Sequence, residues 1–141
     1  MTQLPFTLSS ALVPIEGVNH RRSSYSVNET LDRLSEAIES LGAKIFTVLD
    51  QRAEAENVKL QLRDTVLVLF GNPVAGTRVM EAVPLSALDL PLKILIWVDD
   101  HDDVWMSYLS AEWLAGRYGL SPELLTALMA PEILTGRLAA E

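Results

Sequence analysis

The chain has 141 residues, of which 49% are hydrophobic and 21% charged, a composition typical of one globular domain. It contains no cysteine, which excludes disulfides, thiolate metal sites and thiol nucleophiles. The 11 basic and 19 acidic residues give a net charge of -8 at pH 7. This charge argues against binding to nucleic acid or to an anionic membrane, because both partners require Lys and Arg.

Residues 1–19 are predicted to be an irregular lead-in, followed by one domain at 20–141. Pro5 and Pro14 interrupt the lead-in, which lacks the basic start and the continuous apolar core of a signal peptide. The longest apolar runs, such as 66–70, are much shorter than the roughly 20 residues that span a bilayer. We therefore expect a soluble cytoplasmic protein without membrane contact.

A short strand and a well-capped helix are predicted next. Two arginines within 20–25 indicate a strand that lies at an edge or is partly exposed. Ser26 and Glu29 fit a capping box, in which each side chain accepts a hydrogen bond from an unpaired backbone amide. Apolar residues then recur at helical spacing up to Leu41, and Gly42 supplies the left-handed stop.

The middle of the chain alternates between strands and helices. Residues 44–49 predict a strand, and 50–57 predict a short exposed helix. Apolar residues alternate with polar ones at 58–62 and lead into 65–70, which is apolar on both faces as a central strand should be. The Gly-Asn-Pro sequence at 71–73 then forces a turn, since glycine tolerates unusual dihedrals and proline cannot continue a sheet ladder.

A helix, a loop and a hairpin are predicted after that turn. Residues 74–83 predict a short helix, and Asp89 is expected to bond backbone amides in the loop before a strand at 93–98. An acidic turn at 99–103 leads into a partner strand at 104–109. The whole pattern predicts an α+β fold: a single domain with a mainly antiparallel sheet backed by helices, and a helical C-terminal tail.

The motifs that carry a family resemblance lie around the first helix and the two central strands. They are 25–30, Gly42, 69–73, Gly76, Thr77, Met80, 89–93, Trp97 and Tyr108. Over 24–118 the chain resembles the domain of unknown function family 302. The resemblance implies an antiparallel sheet backed by helices and a dimer, and it implies no activity. Family members often carry His where this chain has Gln51, so the resemblance supports neither proton transfer nor metal ligation there.

The segment 71–78 is the main candidate site. Amides at a helix N-terminus favour anions, two glycines let a ligand approach the backbone, and Arg78 adds positive charge. The segment lacks the phosphate-loop and dinucleotide fingerprints, and a structural turn in which Asn72 bonds backbone amides is the competing interpretation. The candidate ligand-binding residues are Gly71, Asn72, Gly76, Thr77, Arg78, Asp89 and Tyr108.

Other groups predict structure more than chemistry. The acidic turn at 99–103 lacks the spacing of a calcium loop, so we predict a solvated turn with His101 exposed and no metal site. No nucleophile elbow or paired carboxylates are recognised, so no catalytic residue is assigned. His20 either contacts an acidic ligand or simply begins a strand. Five aromatic residues either line an apolar pocket or lie in the core or at a dimer interface, and the second is predicted: Trp97, Trp105, Tyr108, Trp113 and Tyr118.

Two functions from different classes stay open. The first is a non-enzymatic small-molecule-binding or protein-interaction module that acts as a homodimer. The second is a small-molecule enzyme or sensor that holds a small anionic ligand at 71–78. A cleft beside Asn72 and Thr77, lined by Tyr or Trp and holding a perturbed ionisable group, would favour the second. A site filled by Met80 would exclude a ligand. No cofactor is expected for either function.

Overall fold

Five antiparallel strands form one sheet in the order β1-β5-β4-β3-β2. The strands are β1 Val18–Arg22, β2 Lys44–Asp50, β3 Thr65–Gly71, β4 Leu92–Val98 and β5 Val104–Leu109. The computed structural model describes residues 12–140, so most of the lead-in predicted at 1–19 lies outside the described residues.

Helices occupy most of the connections between strands. They are α1 Val27–Ser40, α2 Gln51–Asn57, α3 Pro73–Ala82, α4 Ala111–Tyr118, α5 Pro122–Thr126 and α6 Ala130–Leu138, with a 3-10 helix at Pro84–Asp89. The predicted α+β class, with an antiparallel sheet and a helical C-terminal tail, is confirmed.

One face of the sheet packs against the helices. Because strand side chains alternate between the two faces, every second residue of a strand points toward those helices. The strand residues on this face are Val66, Val68, Phe70, Ile94, Ile96 and Met106, all buried. They form one core cluster with buried helix residues such as Leu34, Ile38 and Leu134. The opposite face, which we call the outer face, is only half-buried and carries Leu67, Leu69, Leu95 and Trp97.

The predicted capping box is confirmed in its first half. Ser26 Oγ accepts a hydrogen bond from the Glu29 amide at 3.2 Å. The Glu29 carboxylate does not return the bond to the cap, because Arg33 one turn later donates to it at 3.1 Å. Gly42 follows the C-cap with φ of 75°, which is the left-handed stop expected from the sequence.

One local prediction, that for Asp89, was wrong. The alternating residues at 58–62 lead into β3 without belonging to a strand, and Val58 and Leu60 are 66% and 64% exposed. The connection predicted before β4 contains the 3-10 helix. Asp89 bonds no nearby amide: it accepts a hydrogen bond from the Tyr118 hydroxyl and pairs with Arg117 Nε at 3.5 Å. Asp89 therefore connects the 3-10 helix to α4 instead of bonding within its own segment.

Candidate functional site

A cavity of about 490 Å³ opens where β3 ends and α3 begins. Its walls are mainly apolar and include Phe46, Leu69, Met80, Leu90, Leu92 and Leu128. Among residues 12–140, none of the side chains that line it is charged. Ligand pockets in proteins are typically clefts of about 300–1,000 Å³ with mainly apolar walls and a few polar groups, so the size and chemistry are those of a small-molecule site.

Four of the predicted site residues line this cavity together: Gly71, Asn72, Gly76 and Thr77. Gly71 is the last residue of β3, and Asn72 is the N-cap of α3. The strand-to-helix junction therefore places all four within about two turns of one another. Met80 lines the cavity without filling it. The site therefore has room for a ligand.

The amides at the start of α3 are already bonded within the chain. Asn72 Oδ1 accepts hydrogen bonds from the Val74 amide at 2.9 Å and the Ala75 amide at 3.2 Å. The Gly76 amide donates to the Asn72 carbonyl at 2.8 Å. An anion at this helix N-terminus would have to displace the asparagine cap, so the structural interpretation of Asn72 accounts for its side chain.

The two glycines are not required by backbone strain. Gly71 is absent from the residues with positive φ, so the unusual dihedral predicted for it was wrong. A Cβ added at Gly71 would meet Phe46 and Pro91 at ordinary distances of 3.8 and 3.9 Å. A Cβ added at Gly76 would find no atom within 4 Å. A larger side chain at Gly76 therefore has open space before it, beside the cavity.

The other three predicted site residues lie outside this cavity, and two of them, Asp89 and Tyr108, line a second cavity of about 200 Å³. Arg78 is exposed on α3 and does not line the cavity. Asp89 links the 3-10 helix to α4 through Tyr118, and this hydrogen bond, followed by burial and the negative charge of Asp89, raises the pKa of the Tyr118 hydroxyl. Tyr108 is buried in the core, where its hydroxyl accepts from Arg21 Nε at 3.4 Å.

The acidic turn holds a buried carboxylate that sequence analysis missed. Asp99 is 2% exposed. Its Oδ1 accepts from the His101 and Asp103 amides, both at 2.9 Å, and its Oδ2 accepts from Trp105 Nε1 at 2.9 Å. Burial alone would raise the pKa of Asp99, but these bonds and nearby His101 together lower it. The turn was predicted to be solvated, which holds for His101 and fails for Asp99.

A second polar cluster crosses the outer face. Ser107 Oγ accepts from Trp97 Nε1 at 2.8 Å and lies 2.6 Å from His20 Nδ1. Burial lowers the pKa of His20, and its Nε2 atom has no hydrogen-bond partner among residues 12–140. The pairing of β1 with β5 explains the cluster, since His20 lies directly opposite Ser107.

Comparison with known proteins places the chain in a family. A family model described as domain of unknown function DUF302 matches residues 19–135. The chain belongs to this family. The match to DUF302 is wider than the 24–118 expected from the motifs, and it reaches into α6. An uncharacterised conserved DUF302 protein from Bacillus stearothermophilus has the same fold: its crystal structure matches with a TM-score of 0.73 at 18% identity, covering 89% of this chain and 97% of that one.

The curated relatives that match this chain are longer proteins. The protein named fluoride-specific ion channel FluC 1 of Brucella suis biovar 1 (strain 1330) is 36% identical over 129 residues, which is 92% of this chain and 48% of that protein. The FluC 1 protein of Brucella abortus biovar 1 (strain 9-941) is also 36% identical, over 46% of its length. The DUF302 chain thus spans about half the length of these relatives. Within residues 12–140, no helix is long and apolar enough to cross a membrane.

Proposed function

We propose that this chain is a non-enzymatic binding module whose cavity beside 71–77 takes a small, largely apolar molecule. The observation that carries the proposal is the size of the cavity, about 490 Å³, together with its uncharged lining. Asn72 and Thr77 are the polar side chains of that lining, and a few fixed polar groups among apolar walls are what orients a ligand in such sites.

The chemistry of the lining also supports a binding role over a catalytic one. General acid–base catalysis needs a titratable group within hydrogen-bond reach of the substrate, and no lining residue in the described part of the chain is titratable. The enzyme or sensor that would hold an anion with the α3 amides and Arg78 has less support, because Asn72 occupies those amides and Arg78 lies outside the cavity. The fluoride-channel activity in the relatives' names is not carried over, since the chain spans about half of those proteins.

The proposal includes a homodimer, and the edge strand β2 favours it. Phe46, Val48 and Leu49 on this strand are 48%, 40% and 39% exposed. The outer side of an edge strand presents unpaired backbone groups, and exposed apolar residues beside them are typical of a surface that a second chain covers. Native mass spectrometry of the purified chain tests this part: a dimer is expected, and a monomer at micromolar concentration would overturn it.

Filling the cavity tests the binding proposal. Gly76→Leu places a side chain in the open space beside the cavity, and we expect it to weaken binding of the uncharged fluorescent probe N-phenyl-1-naphthylamine by about tenfold or more. The variant should fold at least as well as the wild type, because replacing a helix-interior glycine gains about 0.5–1 kcal/mol.

Gly116→Leu is the matched control. Gly116 is exposed on α4, and a Cβ there also meets no atom within 4 Å, so the variant makes the same change away from the cavity. It should bind the probe like the wild type. Equal binding by both variants, or no binding by the wild type, would contradict a ligand site at this cavity.

A further inference from the structure

Two of the three lysines of this acidic chain flank the cavity from neighbouring strands. Lys44 on β2 lies directly opposite Gly71, and Lys93 on β4 lies directly opposite Leu69. Directly opposed residues project to the same face of a sheet, so both lysines share the outer face with Leu69 and Gly71. Both of those β3 residues line the cavity.

Side-chain contacts bring each ammonium group to a wall of the cavity. Lys44 Nζ lies 5.4 Å from the ring centroid of Phe46, which lines the cavity. Lys93 Nζ donates to the carbonyl of Pro91 at 3.2 Å, and Pro91 lines it too. Neither lysine lines the cavity itself, so the two charges stand beside an apolar space and leave its walls uncharged.

These charges are not neutralised within the part of the chain that the structure describes. Five arginines, including Arg33 and Arg52, form ion pairs with carboxylates, whereas neither Lys44 nor Lys93 does. Asp89 and Lys93 both line a second cavity of about 200 Å³, but the Asp89 carboxylate is bonded to Tyr118 and paired with Arg117. In a protein with a net charge of -8, two unpaired cations at one apolar cavity are a marked local excess of positive charge.

We propose that the ligand of this cavity has an apolar body and one terminal anionic group such as a carboxylate, and that Lys44 and Lys93 bind the anionic end. The inference rests on the proposed function, since it needs the cavity to hold the apolar body. Neighbouring strands are about 4.8 Å apart, and Lys44 and Lys93 are also offset by two residues along β3. Their backbones therefore stand about 12 Å apart, close enough for two long side chains to reach one carboxylate.

The test compares two ligands that share a chain and differ in charge. Decanoate and 1-decanol are each titrated against the full chain with bound N-phenyl-1-naphthylamine, and displacement of the probe gives both affinities. We expect decanoate to bind about tenfold more tightly than 1-decanol, as one charge-assisted hydrogen bond predicts. The advantage should shrink as salt is raised, because partly exposed charges are screened.

Three single variants with the same charge change make the result specific. Lys44→Gln and Lys93→Gln should each remove most of the advantage of decanoate and leave the affinity for 1-decanol unchanged. Lys59→Gln, at an exposed position outside the cavity lining, should change neither affinity. Circular dichroism of all three confirms that they fold alike.

The outcomes separate this inference from the function on which it rests. If 1-decanol binds and decanoate has no advantage, the ligand does not need an anionic group. The same holds if Lys59→Gln weakens decanoate binding as much as the other two variants. In either case the proposal for the two lysines fails, and the proposal that the cavity binds a ligand is kept. If neither ligand displaces the probe and the probe itself does not bind, the cavity is not a binding site and both proposals fail.

Discussion

The two turns that follow the central strands use their polar groups in opposite ways. The acidic turn at 99–103 is rich in titratable side chains. Both carboxylate oxygens of Asp99, however, accept hydrogen bonds from within the turn and from Trp105. The turn at 71–73 contains no titratable side chain, and it opens onto a cavity of about 490 Å³. The more charged turn is thus the structural one, and the uncharged turn carries the candidate site.

This contrast follows from how polar groups behave when they are buried. A buried carboxylate is tolerated when its oxygens are satisfied by donors, and Asp99 uses three of its roughly four acceptor positions within the turn and at Trp105. Asn72 is satisfied in the same way at the helix end, but the walls around it are apolar and leave open space. In the function proposed above, capacity for a ligand comes from unfilled apolar volume, and the charge comes from Lys44 and Lys93 on the adjacent strands.

The largest expected effect is the loss of Asp99. Asp99→Ala leaves three donors without a partner in a turn where the side chain is 2% exposed, and each unsatisfied buried donor costs about 1–3 kcal/mol. We expect urea unfolding to show a loss of about 3 kcal/mol or more. Binding of decanoate should be unchanged under conditions where the variant is folded. Asp32→Ala, at an exposed position on α1, is the control and should cost less than about 0.5 kcal/mol.

The pH dependence of stability sharpens the same point. The pKa of Asp99 is lower in the folded chain than its ordinary value of 3.8. The folded state therefore binds fewer protons at Asp99 than the unfolded state does, so its contribution is fully present above that value and is lost as pH falls through the lower folded pKa. Urea unfolding between pH 5 and 2 should show this loss in the wild type. Asp99→Asn should lose less stability over this window, and an equal loss would contradict a charged Asp99.

Local patterns predicted most of the elements but not every environment. The strands at 44–49, 65–70, 93–98 and 104–109 were found because each is a short apolar run bounded by turn residues. Asp99 was missed although a signal was present: an Asp that opens a tight turn often accepts from the amide two residues on. Its burial depends on Trp105 folding back across the hairpin, which composition does not indicate.

The positions of the cavity and of the two lysines beside it depend on strand order, which local sequence patterns do not predict. Gly71, Asn72, Gly76 and Thr77 could be grouped from the sequence because they are close along the chain. Lys44 and Lys93 are separated by 49 positions in the sequence. They lie on either side of β3 only because the strand order is β2-β3-β4. The sequence places Arg78 near the turn and Tyr108 in a family motif, but it does not show that Arg78 is exposed and that Tyr108 is packed in the core.

A smaller effect is expected from the cap of α3. Asn72→Ala removes the acceptor for the Val74 and Ala75 amides and should destabilise the chain by about 1 kcal/mol. Asn72→Ser keeps a capping oxygen and should stay close to the wild type. If Asn72→Ala instead leaves stability unchanged and lowers decanoate affinity about tenfold, Asn72 is primarily a ligand contact, and the comparison of the two turns fails at that residue.

The smallest expected effect is the one at Arg78. Arg78→Ala removes the charge that the sequence placed in the candidate site, but the side chain is exposed and does not line the cavity. Water and salt screen an exposed charge at this position, so decanoate affinity should change by less than about twofold at 0.15 M salt. The same probe-displacement titration measures it beside Lys93→Gln. If Arg78→Ala lowers decanoate affinity as much as Lys93→Gln does, the anionic group of the ligand lies at the start of α3 and Arg78 binds it.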